Sequence, residues 1–555
     1  MKKIIMTALA IATLPVASLL AATHYVVPAG TAGNTPTSPY TSWATAANDL
    51  ASAIESASAL ETILVAPGTY SVNSTIDITS SDRSRNFLKI ESYNRETGKQ
   101  DPEHTILDGG GTTSIMVLNA QAVSLRGLTF ANGYVESDSY TAQTAAGASA
   151  AIFINITQIG TTGQGVISNC IFRCNKSKNV VGTCIYNYAK NPPLIVDCLF
   201  ACNTQEVTVA KQPVRGSAIY QVIGSAATAD KYGKIYGCTF RDNVALGPKA
   251  EGSTVCIKQG RTVFDGCNFY TNSFVQTDSA INTEGAYLYL GDSTTVQNCR
   301  FSCKGFNNAG GHYLYGTVMN VLNGCTFSNC TFTAIEEESG SNLYGTIRVA
   351  GDSVKFLDCK FTENTLYASS LLFVENKGDA LVRNCLFAGN DRKKNTARLI
   401  YRHGTTVSTP TGITVENCTF ADNTDTIAPI YFSNASYANY LVNSVFTTDA
   451  ILSDATESSV LASNCCFTAL QEVGGLSFND KCITVAKGSH KFVDAANGDY
   501  RIQGRSPLRD KGVTLDWMTA DAIDLDGNPR VFGDMPDLGC YECCIEYPGL
   551  MVIVF

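Results

Sequence analysis

One phrase recurs along this chain: a short alternating strand, then Asn, Asp or Gly, then Cys-x-Phe, and often Asn three residues after the Phe. It reads ISNCIFRCN from Ile167, IVDCLFACN from Ile195, IYGCTFRDN from Ile235, FDGCNFYTN from Phe264 and VENCTFADN from Val415. Further copies are VQNCRFSCK from Val296, LNGCTFSNC from Leu322, FLDCKFTEN from Phe356 and VRNCLFAGN from Val382, with degenerate ones at Leu125, Val442 and Ala462. Successive copies stand roughly 21 to 42 residues apart. A unit of that length cannot bury its apolar face alone and must stack on its neighbours.

Cys and Phe, two apart, share one face of a strand. The residue before Cys (Asn169, Asp197, Gly237, Gly266, Asn298, Gly324, Asp358, Asn384, Asn417 or Asn464) is of the kind that tolerates a left-handed backbone, so a sharp corner is expected there. The Asn at 175, 203, 243, 272, 364, 390 and 423 marks a second corner, where its amide can bond to an adjacent rung. A third strand lies between copies: GTCIYNYA from Gly182, GSAIYQVI from Gly216, GAYLYLG from Gly285, GTVMNVL from Gly316, GTIRVAG from Gly345 and ARLIYRHG from Ala397. Three short strands per coil, with almost no helical periodicity, describe an all-β parallel solenoid of about a dozen rungs, roughly 55–60 Å long.

Of 21 cysteines, ten fall at the fixed position: Cys170, Cys198, Cys238, Cys267, Cys299, Cys325, Cys359, Cys385, Cys418 and Cys465. Leu128 and Ser444 replace cysteine in degenerate copies, which marks a small packing site rather than a metal ligand. Buried free thiols are therefore expected, in preference to a disulfide zipper; Cys174 with Cys202 is the first pair to suspect of bridging.

The ends differ. Residues 1–22 read as a secretory signal, with Lys2 and Lys3, an apolar stretch broken by Pro15, and Ala21-Ala22. No later stretch is long enough to span a bilayer, and the terminal GLMVIVF reads as a strand. Residues 23–105 read as an N-terminal cap and first coil, opening with a short amphipathic helix capped by Asn48 or Asp49. Residues 106–483 carry the rungs, and 484–555 form an irregular C-terminal cap and tail. A net charge of −9 gives no support to nucleic acid as a partner.

ILVAPGTY (Ile63–Tyr70) followed by rungs of the NCTFADN type resembles the right-handed parallel β-helix proteins of the pectin-lyase-like superfamily. DLDGNPRVFGDMPDLGCYE (Asp524–Glu542) resembles the C-terminal segment of bacterial secreted choice-of-anchor Q proteins. The repeat is also similar to the passenger domains of chlamydial polymorphic outer-membrane adhesins, although no membrane β-barrel sequence follows. The resemblance implies a right-handed β-helix and, in its enzymes, a groove along the third strand. It does not imply one activity, because the fold hosts lyases, hydrolases, esterases and adhesins.

If Ile347 and Val349 face inward, Arg348 faces out. The same phase predicts an outward polar column of Asn187, Gln221, Lys258, Arg402 and Ser433, able either to bind a sugar chain or simply to stay solvated. A uronate lyase needs a cation on the carboxylate and a base for the adjacent proton. Lys258, Arg348 and Arg402 are the candidates, with His403 as an alternative base; Ca²⁺ is the one cofactor a lyase could call on, and otherwise none is expected. A hydrolase needs two carboxylates across the scissile bond, and no Asp pair stands on a third strand. EEE (Glu336–Glu338) reads as a solvated loop run, and DLDGN as a turn rather than a calcium loop. Tyr186, Tyr220, Tyr289 and Tyr401 recur near one position and read as an interior ladder, with a sugar-stacking stripe as the alternative. The expectation is an exported, monomeric surface or extracellular protein that binds glycans or other surfaces. A polysaccharide lyase (or a glycoside hydrolase) and a structural adhesin element are the alternatives.

Overall fold

A computed structural model of the chain describes residues 21–79, 84–141, 148–156, 163–223, 232–278, 281–303, 313–337, 343–367, 370–375, 379–393, 397–403, 412–424, 428–433, 438–448, 452–453, 459–469 and 476–545. The signal-like residues 1–20 and the tail GLMVIVF lie outside them. Each coil gives one strand to each of three long parallel sheets of 16, 15 and 13 strands. The first runs from Thr23–Val26 to Leu476–Phe478, the second from Gly68–Ser71 to Ile483–Thr484, and the third from Ile76–Ile78 to Leu452–Ser453. The stack is thus longer than the coils that carry the Cys-x-Phe phrase, because those near the N-terminus build the same strands without it.

The corner before Cys forms as its residue types require. Asn169, Asp197, Gly237, Gly266, Asn298, Asp358, Asn384, Asn417 and Asn464 all take φ between 50° and 64°. Beyond it the Phe side chains enter the core and stack rung on rung. Twelve rings from Phe130 to Phe467 lie 4.6–5.2 Å apart, centroid to centroid, and within 10° of parallel. One assignment shifts. In the register Phe332 lies between Phe301 and Phe361, so the rung cysteine is Cys330, not Cys325. Phe327 belongs to the first sheet, opposite Val296 and Phe356. Cys-x-Phe occurs there twice, the two copies five residues apart, and only the register separates them.

At the second corner the asparagines form ladders inside the core. Asn175 Nδ2 donates to Phe130 O at 3.0 Å and to Asn203 Oδ1 at 3.0 Å, and Asn203 and Asn243 repeat the pattern upward to Asn272. A second ladder joins Asn364, Asn390 and Asn423. Between the ladders, Cys303 faces Phe269 O and the backbone N–H of Ile335 donates to Asn364 Oδ1. An amide can satisfy a carbonyl and its neighbour at once, so these buried polar groups are paired.

All 21 cysteines carry free thiols, Cys174 and Cys202 included; seventeen are buried. Burial pushes the thiols of Cys170, Cys198, Cys359 and Cys385 well up, which leaves them unreactive fillers.

The N-terminal end is closed by helix α1 (Leu50–Ser56). Asp49 caps it, its Oδ1 accepting from Ser52 N at 2.7 Å, and Leu50, Ala53 and Ile54 are buried. At the other end the chain turns back outside the solenoid, where Tyr500, Cys540 and Tyr541 cover Leu386, Ala388 and Ala421 on the outer face of the second sheet. An Arg530–Glu542 ion pair at 3.1 Å, with neither side chain exposed, lies inside this cap. DLDGN is a turn: Asp524 Oδ1 accepts from Asp526 N and Asn528 N, with Gly527 at φ 86°.

Two outcomes follow. Phe420→Ala should lower the unfolding free energy by about 3–5 kcal/mol in denaturant titration, and Phe420→Asp should yield no soluble protein; near-native stability of either would contradict the ring ladder. A thiol-reactive chromophore should label the exposed Cys174, Cys202 and Cys544 quickly, the half-buried Cys482 more slowly, and the buried seventeen only after denaturation.

Candidate functional site

The third sheet positions the chemistry. Six of its strands enter through a corner glycine with positive φ: Gly182, Gly216, Gly252, Gly285, Gly316 and Gly345. At Gly345 (φ 73°) an added Cβ would lie 2.3 Å from the Phe373 Cβ, so only glycine passes. The register then sets two faces. Ile185, Ile219, Val255, Leu288, Met319, Ile347, Leu372 and Ile400 are opposite one another and buried inside. The outward column between them is Tyr186, Tyr220, Cys256, Tyr289, Asn320, Arg348, Phe373, Tyr401 and Tyr431.

This phase corrects three expected ligands. Asn187, Gln221 and Arg402 belong to the inward column and are 0%, 1% and 0% exposed. Asn187 Nδ2 donates to Gln221 Oε1 at 3.1 Å, and Gln221 Nε2 to Thr262 Oγ1 on the first sheet at 2.6 Å. The Arg402 guanidinium donates to the carbonyls of Val374, Glu375 and His403. The sequence misleads here because a buried polar side chain with a partner reads the same as a solvated one. Ser433 pairs with His403 in the register, and its side chain lies outside the described residues. The recurrent tyrosines are likewise corrected: they stand on the outer face. Tyr186 and Tyr220 are nearly covered, at 3% and 4% exposure, by a second layer that includes Val181 and Tyr140.

Lys258 and Arg348 do face outward. Lys258 sits at a register shift, between Ile257 opposite Gln221 and Gln259 opposite Val222. Its ammonium donates to Glu251 Oε2 at 3.0 Å and lies 4.6 Å from the centre of the Tyr289 ring. Arg215 holds the same carboxylate at 2.6 Å. Burial pushes the Glu251 carboxyl up, but Arg215 and Lys258 outweigh it and hold it below its ordinary range. Burial lowers the Lys258 ammonium, yet Glu251 and Tyr289 more than offset that and raise it, so a neutral lysine base is not what this surrounding makes.

Three rungs on, about 14 Å at roughly 4.8 Å per rung, Arg348 Nη2 donates to both Glu375 oxygens, at 2.9 and 2.8 Å. It also lies 3.5 Å from Glu284 and 4.7 Å from the Tyr315 ring centre. His403 packs on Phe373 and Tyr401, and burial lowers its basicity, so it stands neutral near pH 7.

A second outward column escaped the sequence reading. From Gly216 to Gly345 the residue before the corner glycine is Arg215, Glu251, Glu284, Tyr315 or Tyr344, and Glu251, Glu284, Tyr315 and Tyr344 pair successively across the rungs. The repeated LYG at Leu314 and Leu343 was its visible trace. Tyr313, Tyr315 and Tyr344 cluster with centroids 5.3–6.1 Å apart, and Tyr344 continues onto Phe373, then Tyr401 and Tyr431. Tyr313 is 42% exposed. Glu337, of the acidic run, is buried instead of solvated; it accepts from Thr346 Oγ1 and Tyr367 N. Among the described residues no group of three or more His, Cys, Asp or Glu side chains could hold a metal ion.

The architecture is that of a parallel β-helix, coils stacked in register around a continuous core. Residues 222–500, half of the chain, match the family described as the right handed beta helix region, and the chain belongs to that family. Among solved structures it is similar to pectate lyase Pel9A (14% identity over 94% of this chain and 96% of that one, TM-score 0.26). It is also similar to the PL6 family polysaccharide lyase Pedsa3628 from Pseudopedobacter saltans (14% identity, 84% and 98%, TM-score 0.32). A third is the gp42 tailspike of Acinetobacter phage vb_AbaP_AS12 (11%, 90% and 67%, TM-score 0.29). No curated protein matches the chain. No helix among the described residues is long and apolar enough to cross a membrane.

The Glu251 cluster has a pH signature. Its carboxyl is lowered in the folded state from an ordinary 4.5, so its stabilising contribution is full above that pH and fades as pH falls through the folded value. Glu251→Gln should therefore lower stability at neutral pH and flatten the acid limb of a thermal-melt pH profile below 4.5. An acid limb identical to that of the native protein would contradict the pairing.

Proposed function

We propose that this is an exported, monomeric β-helix protein that binds glycans along the outer face of its third sheet without transforming them. The observation that carries the reading is the row of part-exposed aromatic rings, Tyr313, Tyr315, Tyr344, Tyr401 and Tyr431, running beside Arg348 and its two carboxylates. Sugar rings present apolar faces to aromatic side chains and hydroxyls to charged donors and acceptors. A flat, repetitive face suits a repetitive polymer. The secretory-type N-terminus supports export to where such polymers occur, and the acidic composition weighs against nucleic acid. The reading calls for no cofactor.

One observation favours polysaccharide lyase chemistry as the second reading: Arg348 stands on the outer face of the third sheet, as a cation for a uronate carboxylate would. Against it, both outward cations are already engaged, Lys258 by Glu251 and Arg348 by Glu375 and Glu284. In that reading Ca²⁺ would have to join from solution.

The test is a panel of acidic and neutral polysaccharides, with and without Ca²⁺, read in parallel by binding, unsaturated-product absorbance and reducing ends. Saturable binding with no product, weakened tenfold or more in a Tyr315→Ala, Tyr344→Ala double variant, is the expected result. Product absorbance that vanishes in Arg348→Ala would replace this reading with the lyase.

A further inference from the structure

A cleft of about 690 Å³ opens elsewhere, between the outer face of the second sheet and the returning C-terminal cap. The solenoid supplies Leu386 and Ala388 at the base, each only 3% exposed, and Lys360, Glu363 and Asp422 as rim. The cap supplies residues 495–498 as the facing wall, with Tyr500 and Tyr541 beneath. The space exists because its walls are nearly bare. Gly389 stands in the corner column between Glu363 and Asp422, and Ala495, Ala496 and Gly498 face it. The two carboxylates thus straddle an empty corner from rungs about 10 Å apart, at roughly 4.8 Å per rung.

Part of the polar rim is open to a ligand. Among the described residues neither Lys360 nor Glu363 is held in an ion pair. Burial, then the Asp422 charge and a hydrogen bond to Asp422, hold the Tyr500 hydroxyl well above the usual phenol range, so it stays protonated and gives its proton to Asp422. Asn497 donates through Nδ2 to Asp494 at 2.7 Å and adds its amide oxygen as an acceptor. The volume lies within the roughly 300–1,000 Å³ of small-molecule sites.

We propose that this cleft is a second, separate binding site for one or two pyranose units of an uncharged or amino-substituted glycan. The Ala495 and Ala496 methyl groups, facing a rim of donors and acceptors, match a ring with an apolar face and hydroxyl edges. Two carboxylates against one ammonium disfavour a uronate, sulfate or phosphate. The site shares with the proposed function the premise that the protein meets glycans, but it uses none of the same residues.

The test titrates the full-length mature protein with cellobiose, the glucosamine disaccharide, its N-acetylated form and digalacturonate, followed by saturation-transfer NMR and calorimetry. At least one of the first three should bind saturably, and digalacturonate should neither bind nor compete there. Ala496→Trp, at the exposed mouth, should weaken that binding tenfold or more, and Glu363→Gln should weaken it without filling the space. Tyr315→Ala should leave it unchanged. Silence for all four sugars, binding indifferent to both Ala496→Trp and Glu363→Gln, or binding lost in Tyr315→Ala would each overturn the proposal. Because the third-sheet face is scored separately, by polysaccharide binding in the Tyr315→Ala, Tyr344→Ala variant, either site can fail without the other.

Discussion

Everything in this molecule depends on like residues lying directly above like residues at the spacing of one parallel strand. That spacing, about 4.8 Å, is close to the separation at which flat rings and small side chains pack without a gap. The Phe ladder therefore works as one object, each ring buried by the next, and aromatic pairs of this kind contribute about 0.5–1.5 kcal/mol beyond their buried area. The condition for it is that every coil turns at the same place. Asn, Asp and Gly before the rung cysteine meet that condition by accepting a left-handed backbone at little cost. The asparagine ladders then tie the next corner, satisfying carbonyls that would otherwise be stranded in an apolar core.

The same regularity makes the outer face of the third sheet a ruled surface on which each rung can vary one side chain. Two such columns run side by side, one from the strand and one from the residue before the corner glycine. Where they carry opposite charges, as at Arg215, Glu251 and Lys258 or at Arg348, Glu284 and Glu375, the charges neutralise one another. Where they carry rings, as at Tyr344 and Tyr401, the face stays aromatic. The result is suited to many weak, repeated contacts. The C-terminal cap adds a different kind of surface, because a chain returning across the solenoid encloses space that a ruled face cannot.

Much of the fold was legible because solenoid repeats expose their own logic: corner residues, the Cys-x-Phe face, the glycine before six of the third strands and the capping helix all follow from local chemistry. The misreadings came from places where local chemistry is ambiguous. Two overlapping phrases at Cys325 and Cys330 are equal in sequence, and only pairing with Phe301 and Phe361 chooses between them. Third strands such as IYN and IYQV set a Tyr and an amide at adjacent positions, so the sequence lets either one take the outer face. The amides went inside, because Asn187 and Gln221 could satisfy each other and Thr262. Arg402 went in as well, because backbone carbonyls were there to receive it.

The sequence by itself determined the coil: its period, its corners, its ladders and its closed N-terminal end, since each is set by residues within one repeat and by the identity of the next. It could not determine which face a polar residue joins, nor what the returning cap encloses. Those depend on partners a coil or more away, such as Glu375 for Arg348, or Tyr500 for the wall beside Gly389. Only the stacked structure brings such partners within reach, because strand phase reverses with a one-residue slip while the composition stays the same.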